Sequence, residues 1–157
     1  MRELHRLLLA SEARELSDEI GRMFEDIART AGRRLPAGET TPPLDVLETA
    51  STVEIHVDLP GVQATEVRVL IKSGVVLVAG EKLPPDAGAR AGGSFHLVER
   101  GFGRFARAIR LTGAFDGSRA KATFSDGELR IEIPKIAERR GREIAVPINE
   151  APASDGA

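Results

Sequence analysis

The sequence predicts an all-β domain, a sandwich of two antiparallel sheets, carried between a helical N-terminal arm and a flexible polar C-terminal tail. Three observations predict it. Between about 53 and 133, apolar and polar residues alternate at a period of two in several short runs, and that period lays one face of each strand on a core. Turn dipeptides separate the runs: Pro60-Gly61, Ser73-Gly74 and Asp126-Gly127. No helical periodicity interrupts this stretch, whereas the residues up to about Arg34 show it throughout.

The arm comes first. Leu9, Ala13, Leu16, Ile20, Met23, Phe24 and Ile27 recur at steps of three and four, which gives a helix one apolar stripe. Asp18–Arg22 and Glu25–Arg29 have the spacing and order that support a helix. Gly32 and Pro36 mark its end. The rest of the chain offers no second helix. The stripe is therefore expected to pack on the β domain, on another subunit or on a bound protein. Residues 35–43, LPAGETTPP, form a linker by their Pro and Gly content.

The β runs follow. Val53, Ile55, Val57 and Leu59 alternate with Glu54, His56 and Asp58. Val67, Val69 and Ile71 form the next run, and Ser73-Gly74 turns it into Val75–Ala79. That strand is apolar on both faces, as expected between two layers. Phe105, Ile109 and Leu111 carry another. Ala120, Ala122 and Phe124 lead through Asp126-Gly127 into Leu129, Ile131 and Ile133, the clearest hairpin of the chain. Short strands with frequent turns and no internal helix argue for a two-sheet sandwich. From Gly80 to Phe95 runs a long polar loop, and loops of that length inside a compact domain are usually functional or reach outside their own subunit. The chain thus divides into an arm and linker (1–42), a sandwich (43–135) and a tail (136–157). The tail carries one apolar island, Ile144-Ala145-Val146-Pro147-Ile148, the pattern of a docking peptide for a groove or sheet edge.

Composition narrows the function. The net charge is -2 with Arg and Glu interleaved, so no basic stripe points to nucleic acid. The absence of cysteine excludes disulfides, thiolate metal sites and Cys nucleophiles. There is no Trp and no Tyr, which argues against stacking surfaces for sugars or bases. The run Leu7–Ala10 is too short for a signal-peptide core, and no stretch approaches the ~20 apolar residues of a membrane span. A cytoplasmic protein is expected.

Residues with chemical potential read more simply as structure. Glu54, His56 and Asp58 share a strand face, but alternate strand residues lie ~7 Å apart, too spread for one metal ion. His96 with Glu99 and Arg100 lacks a nucleophile motif. Gly101-Phe102-Gly103 is a lone G-x-G, and the glycine-rich 88–94 stretch lacks G-K-[ST]. No catalytic residue, cofactor site or metal site is assigned. The histidines His56 and His96 are candidates for tuning assembly with pH.

Five blocks, in order across residues 43–135, resemble the α-crystallin domain of small heat-shock proteins. They are Pro43–Glu48, like the family's first strand; Val57-Asp58-Leu59-Pro60-Gly61-Val62, like its D-L-P-G turn; and Val76–Lys82, ending in Gly80-Glu81-Lys82. The fourth is Phe95–Phe105, like H-x-x-E-R-x-x-G-x-F. The fifth is Ala120–Leu129 with Ile133-Pro134-Lys135, like A-x-x-x-x-x-x-G-x-L…P-K. Thr112 departs from the family's usual Pro, and Pro84-Pro85 with several glycines departs from its more acidic loop.

The resemblance implies an immunoglobulin-like sandwich and an ATP-independent chaperone, a holdase for partly unfolded client proteins in the stress response. It implies a homo-oligomer built from dimers, with ATP-driven chaperones downstream, and in bacterial and plant relatives a strand of the long loop swaps onto a partner subunit. It implies a tail motif, either Ile144 with Val146 or Val146 with Ile148, docking into an apolar groove of Val67, Val69, Ile71, Ala122 and Phe124. It places His96, Glu99 and Arg100 near a dimer interface. Arg107, on the inner face between Phe105 and Ile109, would form an inter-subunit ion pair there; a twist at Gly103 that carries it to solvent is the alternative. The arm residues Leu9, Leu16, Ile20, Met23, Phe24 and Ile27 would contact clients and pack inside the oligomer. A rival reading is a co-chaperone or adaptor sandwich that docks one specific partner.

Overall fold

The computed structural model describes residues 2–84 and 93–136, with the side chains of the first helix described from Ser11 onward. Helix α1 spans Arg2–Ala31. Seven strands follow: β1 Leu44–Glu48, β2 Thr52–Asp58, β3 Val67–Lys72, β4 Val75–Lys82, β5 Gly103–Arg110, β6 Lys121–Ser125 and β7 Glu128–Pro134. Single 3-10 turns at Ala64–Glu66 and Gly117–Arg119 precede β3 and β6. The strands form a four-stranded sheet in the order β1-β2-β7-β6 and a three-stranded sheet in the order β3-β4-β5, with all neighbours antiparallel.

The period-two alternation sets the core between the sheets. Val53, Ile55 and Val57 of β2 and Leu129, Ile131 and Ile133 of β7 point inward and meet Val76 and Val78 of β4 and Phe105 of β5. Each such side chain contributes about 1.5–3 kcal/mol of burial. The two tight hairpins have the predicted turns. Ser73 and Gly74 have φ 50° and 78°, Asp126 and Gly127 have φ 52° and 79°, and two positive φ values in a row are the type I′ geometry that matches strand twist.

β4 is apolar on both faces because it is covered on both. Val76 and Val78 face the other sheet. Val75, Leu77 and Ala79 face the opposite way, against Met23, Leu16, Ile20 and Phe24 of α1, with Leu70 of β3 beside them. Of the three partners open to the arm's stripe, the described chain uses its own β domain.

The helix ends in a Schellman motif: the Arg33 amide donates to Ala28 O (3.4 Å), the Gly32 amide donates to Arg29 O (3.3 Å), and Gly32 has φ 65°. Its ion pairs differ from the expected ones. Arg22 pairs with Glu19 rather than Asp18, and Arg29 with Asp26 rather than Glu25. Side chains on a helix tilt toward its N-terminus, so both arginines reach back to acids already held at the sheet-facing edge.

The linker is pinned to β5. Thr40 N donates to Arg104 O (2.9 Å) and Arg104 N donates to Gly38 O (3.0 Å). A Cβ at Gly103, whose φ is 115°, would lie 2.4 Å from the Gly38 carbonyl, and one at Gly101 would lie 2.4 Å from Thr40 Oγ1. The lone G-x-G is thus a crossing point for two backbones.

Candidate functional site

Two edges of the sandwich leave apolar side chains open. The first lies between β3 and β6, edge strands of opposite sheets. Val69, Ile71 and Phe124 are half-buried and pack on the shared core, as does Phe115. Gly117 lies against Ile71, where an added Cβ would sit 3.2 Å from Ile71 Cγ2. Ala122, on the Phe124 face of β6, is exposed. Four of the five expected groove residues therefore form a partly open apolar rim. Val67 is buried beneath it and serves the core instead. An edge strand also offers unpaired backbone groups to an added strand. The tail residues Ile144, Val146 and Ile148 lie outside the described residues.

The second opening is the segment before β5. Phe95, Leu97 and Val98 are 59%, 73% and 64% exposed. With Pro84, Glu99, Arg100 and Phe102 they line a cleft of about 390 Å³. The Arg100 guanidinium lies 5.1 Å from the Phe102 ring centroid and the Lys82 ammonium 5.8 Å from it, within the range of cation–π attraction. His96, Glu99 and Arg100 are all exposed on this segment. The swapped-strand expectation for the long loop rests largely on residues 85–92, outside the described set. β1, the far edge of the four-stranded sheet, exposes Val46 and Leu47.

Arg107 stands apart from that segment, half-buried on the inner side of β5. Its guanidinium donates to Pro42 O. Among the described residues no carboxylate lies within 4 Å of it, and its charge is met there by the Pro42 carbonyl dipole.

On the outer face of the four-stranded sheet, His56 sits in a cross-strand network. Its Nδ1 lies 3.0 Å from Glu128 Oε1 and its Nε2 3.4 Å from Glu54 Oε2, and Arg130 donates to Glu54 (2.8 Å). The hydrogen bond to Glu128, with Glu54 behind it, raises the His56 pKa above its ordinary value against a smaller opposing effect of burial. Asp58 takes no part in this cluster, and no group of His, Asp and Glu among the described residues has the arrangement to hold a metal ion.

One feature escaped sequence reading. Glu81 is fully buried, and Arg33 forks onto it, Nη1 to Oε2 at 3.0 Å and Nη2 to Oε1 at 2.5 Å. Arg33 also reaches Glu66 at 3.3 Å. The bidentate pair ties the chain just past α1 to the end of β4, and the Glu66 contact ties it to the turn before β3. The only sequence signal was an acid closing an apolar strand, which does not name its partner.

The model of the Hsp20/alpha crystallin family matches residues 45–149. The chain belongs to the Hsp20/alpha crystallin family. Among curated small heat-shock proteins, it is 34% identical over 106 residues to Heat shock protein 16 of Schizosaccharomyces pombe, covering 68% of this chain and 74% of that one. It is 36% identical over 137 residues to a 21.9 kDa heat shock protein of Oryza sativa subsp. japonica, covering 82% of this chain and 66% of that one. Among solved structures, Heat shock protein 16.0 from Schizosaccharomyces pombe superposes with a TM-score of 0.59 at 33% identity, covering 69% of this chain and 99% of that one. A small heat-shock protein from Xylella fastidiosa, whose crystal structure reveals a distinct high order structure, gives 0.55 at 29% identity, covering 68% and 96%. The two-sheet domain is therefore an α-crystallin β-sandwich, and membership of the small heat-shock proteins implies a chaperone. No helix among the described residues is long and apolar enough to cross a membrane.

Proposed function

We propose that this small heat-shock protein is an ATP-independent holdase that binds partly unfolded proteins and prevents their aggregation under heat or other stress. The observation that carries the reading is the apolar surface left open at two edges of a rigid sandwich: Phe95, Leu97 and Val98 on one, and Val69, Ile71, Ala122 and Phe124 on the other. Contiguous exposed apolar surface marks a place of contact, and partly unfolded chains expose the same kind of surface. Holding needs no bond to be broken, so no catalytic residue or cofactor enters.

Assembly follows the same logic. The 93–102 segment of one subunit lies on the free β1 edge of a second copy, with His96, Glu99 and Arg100 at the contact, and Arg107 receives a carboxylate from that copy. Dimers join into larger homo-oligomers when Ile144 and Val146, or Val146 and Ile148, fill the β3–β6 rim. Two such side chains give roughly 3–6 kcal/mol before entropy costs, the scale of a contact that exchanges. The α1 stripe adds client contacts once it leaves the sheet. The setting is cytoplasmic, with ATP-driven chaperones taking clients onward.

The deciding experiment follows light scattering of a heat-labile enzyme at its aggregation temperature, in buffer free of ATP. Suppression near stoichiometric ratios, absent with an inert protein at equal mass, is expected. No suppression from a chain that is monomeric in solution would move the reading to an adaptor for one partner. For the tail, Ile144→Ala with Val146→Ala should shrink the assembly in multi-angle light scattering, and unchanged mass would remove the docking role.

A further inference from the structure

The contact between α1 and the three-stranded sheet has a charge pattern that packing alone does not require. Glu12, Glu19 and Asp26 are spaced seven apart, which keeps them along one edge of α1, and Arg33 follows seven residues on, just past the helix end at Ala31. Each pairs with the sheet: Glu12 with Arg110 (2.5 Å), Glu19 with Lys72 (2.6 Å), Asp26 with Arg68 (2.5 Å) and Arg33 with Glu81 (2.5 Å). Three acids then a base on the arm meet three bases then an acid on the sheet. The partners trace a diagonal from the end of β5, across to β3, and along β3 to its start and the end of β4.

Closure is graded along this diagonal. Toward the N-terminus, among the described side chains, the helix is held by the half-buried Leu16 and Ile20 and by exposed lysine and arginine tips. Toward its end lie Met23 at 8% and Ile27 at 0% exposure, then the buried Glu81 under the forked Arg33. The left-handed Gly32 separates the last helical turn from that fork. Arg33 is therefore a pin beyond the helix, and Gly32 is the joint next to it. Beyond the pin, the linker is fixed again on β5 from Gly38.

We propose that α1 is a charge-keyed cover, pinned by Arg33 on Glu81 and opening from its N-terminal end, which masks the apolar face formed by Leu70, Val75, Leu77 and Ala79 together with its own stripe. This rests on the holdase reading: the cover decides when that surface is available to a partly unfolded protein. The named occupant of the closed face is α1 of the same chain, because its row of charges matches the rim of the sheet at every seventh residue. Exposed ion pairs weaken with salt, so opening is favoured by ionic strength as well as by heat.

The test uses the full chain and two pairs that make no backbone contacts. Glu12→Lys with Glu19→Lys reverses the key while keeping helix propensity, since Lys and Glu are equal helix formers; Arg22→Gln is carried in every protein compared, because Arg22 also pairs with Glu19. Adding Arg110→Glu and Lys72→Glu restores it with the signs exchanged. Amide hydrogen exchange, measured in separate peptides from α1 and from 70–79, reports opening without reference to chaperone activity. The reversal should speed exchange in both by about tenfold, from two lost attractions turned to repulsions, and the fourfold variant should return it toward the starting rate. Aggregation of the client below its usual protection temperature should be suppressed better by the reversed protein than by the restored one. Unchanged exchange on reversal, or no recovery on exchange of signs, overturns the key. Faster exchange with no gain in holding overturns the gating, provided the unsubstituted protein holds client at high temperature. If that protein holds no client at any temperature while the exchange data follow the key, it is the holdase reading that fails.

Discussion

Val78 and Leu77 are neighbours on β4, and both are fully buried, yet they belong to different interfaces. Val78 faces the second sheet, in a core of twelve buried residues with no ion pair inside it. Leu77 faces α1, in a cluster of four buried residues with half-buried neighbours and a rim of charges. The first contact joins strands that are already hydrogen-bonded into sheets. The second joins a helix that satisfies its own backbone bonds to a sheet that satisfies its own. The chain crosses between the two sheets from β2 to β3 and again from β5 to β6, whereas α1 is joined to the sandwich at its C-terminal end alone, which is why one strand can carry a permanent core on one side and a removable cover on the other.

Substitutions on the two sides should separate these interfaces, and the largest effect belongs to the inter-sheet side. Ile131→Ala should cost about 2–5 kcal/mol by removing a fully buried side chain, read as a lower midpoint for cooperative unfolding of the whole sandwich in denaturant. A change confined to α1 would break the comparison. Next comes the pin. Arg33→Met leaves Glu81 buried without its partner and should cost about 2–3 kcal/mol, below the ~3–5 of a fully buried pair because Arg33 is partly in water. Replacing Glu81 by Gln in the same chain should recover part of that loss, and thermal melts of the three proteins test it.

Met23→Ala acts on the cover alone. It should weaken closure by about 2 kcal/mol, the low end for such truncations because the helix edge can settle into the gap. Hydrogen exchange should quicken in α1 and in 70–79 while the midpoint of sandwich unfolding stays put. The smallest effect concerns His56, on neither interface. Its charged form is favoured in the fold by Glu128 and then by Glu54, with Arg130 opposing, and Asp45 lies opposite it on β1. A raised folded pKa gives stability that is complete below the unfolded value of ~6.5 and is lost as pH rises through the folded one. The melting temperature should therefore fall slightly from pH 6 to pH 8, and His56→Gln should flatten that slope. An unaltered slope would assign it to other groups.

Much of this was legible in the sequence because it is local. A strand's period of two, a helix's steps of three and four, and the turn pairs Ser73-Gly74 and Asp126-Gly127 each report on residues a few positions apart. The doubly apolar run Val75–Ala79 even announced that something would cover its second face. The partly open apolar rim between β3 and β6 was legible as far as the edge strands were, but not the burial of Val67 in the shared core. The roles of Gly101 and Gly103 were not legible, since both glycines make room for a linker sixty residues earlier in the chain.

The sequence by itself determined the sandwich, its strands and turns, the helical arm and membership of the small heat-shock proteins. The tertiary structure decided which surface the arm covers, that Arg33 serves the buried Glu81, and that acids seven apart on a helix meet a diagonal of bases on β3 and β5. The reason is that periodicity fixes which face of an element is apolar, whereas the partner of that face is chosen by competition among distant surfaces for shape and charge. Residues 12 and 110 pair only because the folded sheet has brought the end of β5 beneath the helix.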